Sequence, residues 1–210
     1  MPVHETRPSA PRSRRAHPRR LRASLVTAAI VLGLGACSQV GSFNGVEVLP
    51  PSGAPALQLA DASGGTFDLA AEKGNVVLLF FGYTHCPDIC PTTLADWARV
   101  RQALGERADG VRFVFVSVDH DRDTPATADA YAKRFDPAFV GLAADSATLA
   151  RVQSGFGVTS YREAALESGG YTVAHSSQAF LVDRQGRLRL LYPFGATSTE
   201  LAQDLERLVD

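Results

Sequence analysis

The sequence predicts an α/β domain with a central sheet flanked by helices, on the evidence of its apolar runs and their order. Val76–Phe81 is a continuous apolar run with turn residues on both sides, a pattern typical of a strand buried on both faces, and the largely apolar segment Val111–Val118 is predicted to be a second buried strand. Apolar residues at helical spacing follow each run. After the first they are Leu94, Trp97, Val100 and Leu104, and after the second Ala128, Tyr131, Ala132 and Phe135. Such alternation indicates helices layered on a sheet.

The second half of the chain continues the alternation and ends in a hairpin and a helix. Thr124 and Pro125 are suited to the cap and the first position of a helix. The later elements are a helix over Ser146–Phe156, strands near Gln178–Val182 and Arg187–Tyr192 joined by a hairpin turn, and a helix over Ser198–Val209. This order resembles that of a thioredoxin-like domain with an insertion, and by itself it supports a layered α/β fold.

Composition and charge exclude several classes of protein. The chain has 210 residues, of which 45% are apolar and 20% charged, which is enough for one domain with a sizeable core. Residues 1–36 contain seven arginines and one acidic residue, so residues 37–210 carry 14 basic and 21 acidic side chains. An acidic domain without a basic stripe is unsuited to nucleic acid. Three cysteines are too few for a disulfide scaffold.

Residues 1–36 are predicted to be an export signal. The apolar run Ala23–Ala36 has 14 residues, whereas a transmembrane helix needs ~20. Small residues before Cys37 resemble a bacterial lipobox, in which the cysteine is lipidated and becomes the mature N-terminus. An ordinary signal peptide or an uncleaved anchor is the alternative.

Residues 37–56 are rich in Gly, Pro and Ser, and they are predicted to form a flexible tether that is lipid-anchored at Cys37. The domain itself is then predicted over residues 57–210. Export places this domain in the bacterial cell envelope, on the extracytoplasmic (periplasmic) side of a membrane. A cysteine pair can be oxidised there.

Cys86 and Cys90 follow the first buried strand. Each precedes a proline, which disfavours the helical conformation for the cysteine, while Pro91 suits the first position of the next helix. Both sulfurs are therefore expected in a turn at a helix N-terminus, whose positive end favours the thiolate. Thiolates bind metals and exchange disulfides. A structural disulfide or two buried thiols is the alternative.

A metal site here needs a third ligand, because two sulfurs do not complete a closed site and the only methionine is Met1. His175 precedes the strand near Gln178–Val182, and in a thioredoxin-like fold that loop faces the cysteine turn. His85 adjoins Cys86, and His120 lies in a charged loop, so both are weaker candidates. Two thiolates and one imidazole suit Cu(I), and Cu(II) if an oxygen ligand joins.

Three segments resemble the SCO/SenC family of copper proteins. Phe81–Pro91 (FGYTHCPDICP) resembles the cysteine signature of the family, and Asp119–Pro125 resembles its Asp-x-x-x-Asp-Thr-Pro segment. His175-Ser176, with the strand and turn that follow, resembles its histidine loop. The resemblance spans roughly residues 46–209. One departure is His120, which stands where the family usually has proline.

The resemblance implies a membrane-tethered thioredoxin-like domain that binds copper through Cys86, Cys90 and His175. It also implies delivery of copper to the dinuclear site of cytochrome c oxidase, or priming of the thiols of that site. The partner is then the copper-bearing oxidase subunit or another copper chaperone. Asp119 and Asp123 are interpreted as groups that support the ligands or contact the partner. His85 is interpreted as a neighbour that lowers the cysteine pKa or remains solvated.

An exported thiol–disulfide oxidoreductase without stored metal is the main alternative, because the same thiolates support it. Two features count against it. The spacing is Cys-x-x-x-Cys, whereas redox thioredoxins use Cys-x-x-Cys. No proline lies between Pro137 and Pro193, so the cis-proline that such enzymes carry opposite their cysteines has no candidate.

Substitution Cys37→Ser tests the lipid anchor. We expect the full-length protein to move from the membrane fraction to the soluble fraction, because the site of lipid attachment is lost. Fractionation followed by immunoblotting measures this, with Ser38→Ala as the control that stays membrane-bound. Retention of Cys37→Ser on membranes after a high-salt wash would instead identify the apolar run as a permanent anchor.

Overall fold

The computed structural model describes residues 42–165 and 169–209. The predicted export signal, Cys37 and the first residues of the predicted tether lie outside these ranges. No helix within the described ranges is both long enough and apolar enough to cross a membrane.

Ten strands and four α-helices form within the described ranges. The strands are β1 (Val46–Gly53), β2 (Gln58–Ala60), β3 (Thr66–Asp68), β4 (Val76–Gly82), β5 (Val111–Ser117), β6 (Val140–Leu142), β7 (Ser160–Ala165), β8 (Tyr171–His175), β9 (Ala179–Val182) and β10 (Arg187–Tyr192). The helices are α1 (Ile89–Leu104), α2 (Pro125–Lys133), α3 (Ser146–Phe156) and α4 (Ser198–Val209).

A six-stranded sheet in the order β1-β10-β9-β4-β5-β6 forms the centre of the domain. β4 and β5 are parallel, as are β5 and β6, whereas β9 is antiparallel to β4 and β10 is antiparallel to β9. Every residue of β4 is buried, as its continuous apolar run predicts. The predicted α/β class with a central sheet, a late hairpin and a closing helix is confirmed.

Helices α2 and α3 begin where the sequence places them. Thr124 caps α2 by accepting a hydrogen bond from the Thr127 amide, and Pro125 takes the first helical position. Asp145 caps α3, which ends at Gly157 in the left-handed conformation. α1 packs against α4, and α2 packs against β5 and β6, so apolar helix faces cover the sheet.

The prediction of a flexible tether over residues 37–56 is wrong for Val46–Gly53. These residues form β1, which pairs with β10 at the edge of the sheet. Proline is tolerated there, since an edge strand needs hydrogen bonds on one side only. The buried carboxylate of Asp204 also fixes the chain just before β1. It accepts hydrogen bonds from the amides of Asn44 and Gly45 and from the Tyr192 hydroxyl at 2.9–3.0 Å. The chain is therefore part of the domain from about residue 44.

The cross-strand register shows at which end of the sheet the chain enters. Val46 pairs with Leu191, Leu191 with Phe180, and Phe180 with Leu79 of β4. β1 runs antiparallel to β4 through these three antiparallel pairings. The residues before Val46 therefore lie toward the end of the sheet where β4 finishes.

Two hairpins have no counterpart in the sequence-based prediction. β2 and β3 pair with each other, and β7 and β8 form a second ribbon outside the six-stranded sheet. The register of this ribbon pairs Ser160 with His175, so its last strand ends at the histidine proposed as a ligand. These strands are short or mostly exposed, and therefore they lack the apolar runs that identify buried strands.

Gly141 allows β6 and α2 to pack closely, which makes it a test of this layer. A Cβ atom at Gly141 would lie 2.2 Å from the backbone of Ala128. We expect Gly141→Ala to lower the free energy of unfolding by at least about 2 kcal/mol, because helix and strand must separate. Urea denaturation measures the loss. Gly53→Ala is the control, since nothing lies within 4 Å of its Cβ position; equal stability of the two variants would contradict the packing argument.

Candidate metal centre

The two cysteines lie at the junction between the end of β4 and the start of α1. Cys86 is half-buried in the connecting turn, and Cys90 is fully buried in the first turn of α1. The helix begins at Ile89, two residues earlier than the sequence predicts, so Pro91 occupies its third position. A proline is still tolerated there, because amides of the first turn have no partner within the helix. The Cys90 amide instead donates a hydrogen bond to Cys86 Sγ at 3.4 Å.

Gly82 determines how deep the second sulfur sits. A Cβ atom at Gly82 would lie 2.7 Å from Cys90 Sγ and 2.8 Å from the rings of Phe80 and Phe115. Any larger residue would displace the sulfur or these rings. The thiol of Cys90 is thus pressed against the backbone at the end of β4.

His175 reaches the cysteines from the end of β8. Its Nε2 atom lies 3.7 Å from Cys90 Sγ, and its ring meets the rings of Phe80 and Tyr83 edge-on, with centroids 5.9 and 5.8 Å away. Its Nδ1 atom lies 3.0 Å from the carbonyl oxygen of Ser176. A carbonyl can only accept a hydrogen bond, so in the neutral ring Nδ1 carries the proton and Nε2 is the nitrogen whose lone pair is free for a metal ion.

The three groups fit a single soft metal ion. The ligand atoms of Cys86, Cys90 and His175 all lie within 4.8 Å of one another. Two ligands of one ion, each at about 2.3 Å from it, stand at most ~4.6 Å apart, so the pocket needs little adjustment to close on a metal. The structure therefore brings together the three residues predicted as ligands, from segments far apart in the chain.

The two thiols have opposite protonation preferences. The Cys90 thiol donates a hydrogen bond that stabilises the Cys86 thiolate, and this lowers the pKa of Cys86 to about 3. The same interaction, together with burial, raises the pKa of Cys90 far above its usual range. The metal-free pair therefore holds one thiolate at the accessible sulfur and one proton at the buried sulfur.

Asp123 ties the cysteine turn to β5. Its carboxylate accepts hydrogen bonds from the Thr84 amide at 2.9 Å, the Thr84 hydroxyl at 2.6 Å and the Ser117 hydroxyl at 2.6 Å. Its side chain is completely buried, and no ligand atom is among these partners. Asp123 thus holds the turn before Cys86 in position.

Asp119 contacts the other half of the site. Its carboxylate accepts a hydrogen bond from the Tyr171 hydroxyl at 2.7 Å and forms a close ion pair with Arg122. Tyr171 begins the strand that ends at His175. Asp119 and Asp123 therefore support the histidine and cysteine segments respectively.

The other two histidines lie outside the ligand cluster. His85 is largely exposed, with Nδ1 3.0 Å from the Thr84 hydroxyl and 3.7 Å from Asp123. His120 is also exposed, and its nearest charged partner is Asp121 at 3.1 Å. Among the described residues only Cys86, Cys90 and His175 converge as a group of three metal-ligating side chains.

Comparison with known proteins identifies the family. The sequence profile of the family described as SCO1/SenC matches residues 50–210. The chain belongs to the SCO1/SenC family. The resemblance seen in its cysteine, acidic and histidine segments is thereby confirmed.

Solved structures agree with this assignment. ScoI of Bradyrhizobium japonicum, solved with copper bound, is 41% identical with a TM-score of 0.67, covering 75% of this chain and 99% of that chain. Apo Sco1 of Thermus thermophilus is 36% identical with a TM-score of 0.72, covering 81% and 99% of the two chains.

A thioredoxin-family thiol:disulfide interchange protein of Chlorobium tepidum shares the fold alone. The TM-score is 0.52 at 18% identity, and the match covers 76% of this chain and 97% of that chain. The predicted thioredoxin-like fold is confirmed for this SCO1/SenC protein.

Several residues that build the centre were not identified from the sequence. Gly82 makes room for a sulfur, the Ser176 carbonyl selects the histidine tautomer, and Arg122 with Tyr171 holds the hairpin. Only the position of Gly82 directly after a buried strand offered a local signal. The pairing of Arg122 with Tyr171 joins residues 49 positions apart, so no short motif contains it.

Alkylation of the reduced, metal-free protein tests the charge on Cys86. We expect iodoacetamide to modify Cys86 before Cys90, at a rate nearly constant from pH 8 to pH 5, because a pKa of about 3 keeps Cys86 ionised throughout. Peptide mass spectrometry measures the rate. In Cys90→Ala the donor is lost, the pKa of Cys86 rises, and the rate at pH 5 falls. A wild-type rate that drops with acidity as for a free thiol would contradict the assignment.

Proposed function

We propose that this SCO1/SenC protein is an extracytoplasmic copper chaperone that binds one copper ion through Cys86, Cys90 and His175. The convergence of these three ligand atoms within 4.8 Å of one another carries the proposal. Two sulfurs and one imidazole nitrogen form a soft set with few ligands, which suits Cu(I); Cu(II) requires an added oxygen ligand. The copper found in the related ScoI of Bradyrhizobium japonicum supports the choice of metal.

The state of the two thiols suits reversible loading. Cys86 already carries a negative charge without metal, so an incoming ion displaces only the proton on Cys90. Ionising the first ligand therefore costs little free energy. Cys86 is also the more accessible sulfur, which suits it to the first contact with incoming copper and to the last contact during transfer.

We place the acceptor at the dinuclear copper site of cytochrome c oxidase, either directly on the copper-bearing subunit or through another copper chaperone. Nucleic acid is not a partner in this proposal, because the domain is acidic. A lipid on Cys37 would tether the domain to a membrane of the bacterial cell envelope, on its periplasmic side. The chain joins the sheet at the end where β4 finishes, so such a tether attaches at the same end as the metal centre.

Thiol–disulfide exchange is a second candidate function, favoured by the asymmetric thiol pair. The Cys86 thiolate would attack a disulfide of a partner and release one partner thiolate. Cys90, after losing its proton, would then attack the mixed disulfide, leaving a Cys86–Cys90 disulfide and a fully reduced partner. Two electrons pass to the partner, so this reaction would prime the thiols of a copper acceptor.

Copper stoichiometry of the reduced full-length protein tests the chaperone proposal. We expect one tightly bound copper per chain by elemental analysis and competition with a Cu(I) chelator, and loss of tight binding in His175→Ala. His85→Ala and His120→Ala are the matched controls and should keep their copper, because both imidazoles lie outside the cluster. Oxidising the cysteine pair should block loading, since the disulfide leaves neither sulfur available as a thiolate ligand. Normal copper binding by His175→Ala would overturn the proposed ligand set.

A further inference from the structure

The hairpin that carries His175 is separate from the central sheet. β7 and β8 pair only with each other among the described strands. Hydrogen bonds at the base of the hairpin join Thr159 to Ser176, and Gln153 of α3 to Ser160. Such a two-stranded ribbon is marginally stable by itself, so side-chain contacts must hold His175 near the cysteines.

Tyr171 makes two of these contacts at the start of β8. Its hydroxyl donates a hydrogen bond to the buried Asp119 carboxylate at 2.7 Å, and its backbone carbonyl accepts one from Arg122 at 3.1 Å. Burial, reinforced by Asp119, raises the pKa of Tyr171, so the hydroxyl keeps the proton that it donates. Both ends of the residue are therefore fastened to the loop that follows β5.

The ring of Tyr171 also lies between two guanidinium groups. The carbon of the Arg122 guanidinium is 3.6 Å from the ring centroid, and that of Arg162 is 3.7 Å from it. Arg122 is mostly buried, and its Nη2 atom has no hydrogen-bond partner. Arg162 is more than half exposed. The guanidinium group of Arg122 therefore contacts the face of the Tyr171 ring, and among the described residues no further hydrogen-bond acceptor is present for its Nη2 atom.

We propose that Arg122 and Tyr171 are positioning residues that hold the β7–β8 hairpin against Asp119 and so determine how firmly His175 engages the metal. Neither residue supplies a ligand atom. Tyr171 lies four residues before His175 on the same strand, so movement at Tyr171 shifts the imidazole relative to Cys90. Strengthening or weakening this contact changes the lifetime of the third ligand bond and hence the rate of copper release.

The effect on copper release rests on the proposed copper function, but the structural part can be measured without metal. In the reduced, metal-free full-length protein we expect Tyr171→Phe to increase hydrogen exchange of the amides in β8 by about tenfold, as for loss of one hydrogen bond to a charged acceptor. Tyr161→Phe is the matched control, because Tyr161 lies on the same hairpin and is 66% exposed. Equal exchange in both variants and the wild type would overturn the positioning role.

Copper release measures the consequence for the metal. In the copper-loaded protein we expect Tyr171→Phe and Arg122→Met to speed transfer to a Cu(I) chelator about tenfold, while Tyr161→Phe leaves the rate unchanged. The His175→Ala variant is expected to hold copper only weakly, so its residual affinity is measured by competition with the chelator instead. Adding Tyr171→Phe to His175→Ala should leave that affinity unchanged, because the ligand that Tyr171 positions is absent. A further loss of affinity in the double variant, as large as that caused by Tyr171→Phe alone, would show that Tyr171 acts through the cysteines or the fold, which would overturn the proposal.

Failure of the copper function has a different signature. In that case the wild-type protein would retain no stoichiometric copper, independently of the results for the variants. The exchange measurement then still decides the positioning role: faster exchange confined to β8 in Tyr171→Phe supports it, and unchanged exchange overturns it.

Discussion

A buried carboxylate is the constraint on which the metal centre depends. The side chain of Asp123 is fully buried, and a carboxylate in that position is tolerated only when donors surround it. Thr84 supplies an amide and a hydroxyl, and Ser117 supplies a second hydroxyl. These donors belong to the turn before Cys86 and to the end of β5. The carboxylate therefore fastens the cysteine turn to a rigid strand.

The loop that carries Asp123 also carries the support for the opposite ligand. Asp119, four residues earlier, accepts a hydrogen bond from Tyr171 on the hairpin that ends at His175. One loop thus connects two chain segments that share no strand pairing. The distance between sulfur and imidazole depends on hydrogen bonds to buried acids, and among the side chains that the structure describes no covalent link joins the two halves of the candidate site.

The surroundings of the three candidate ligands fit the proposed role of holding a metal ion and releasing it. Cys90 is buried against Gly82, and aromatic rings border His175, whereas Cys86 remains partly accessible. An ion held here has a fixed inner side and one sulfur that a partner can approach. This arrangement also serves disulfide exchange, in which an accessible thiolate attacks and a protected thiol resolves. The geometry is therefore compatible with both proposed functions, copper transfer and thiol–disulfide exchange.

The sequence by itself determined the elements whose signal is local. Apolar segments identified β4 and β5, Thr124 with Pro125 identified the start of α2, and the cysteine spacing with its prolines identified a reactive turn. The sequence indicates a tether at β1 because prolines, a serine and a glycine are typical of loops. The structure accommodates them in a strand because β1 lies at the edge of the sheet and pairs with only one neighbouring strand. Only the tertiary structure decided which imidazole nitrogen faces the sulfurs, why Gly82 must be small, and how Arg122 holds Tyr171. Those features depend on contacts between residues tens of positions apart, and the geometry of such contacts is absent from any short stretch of sequence.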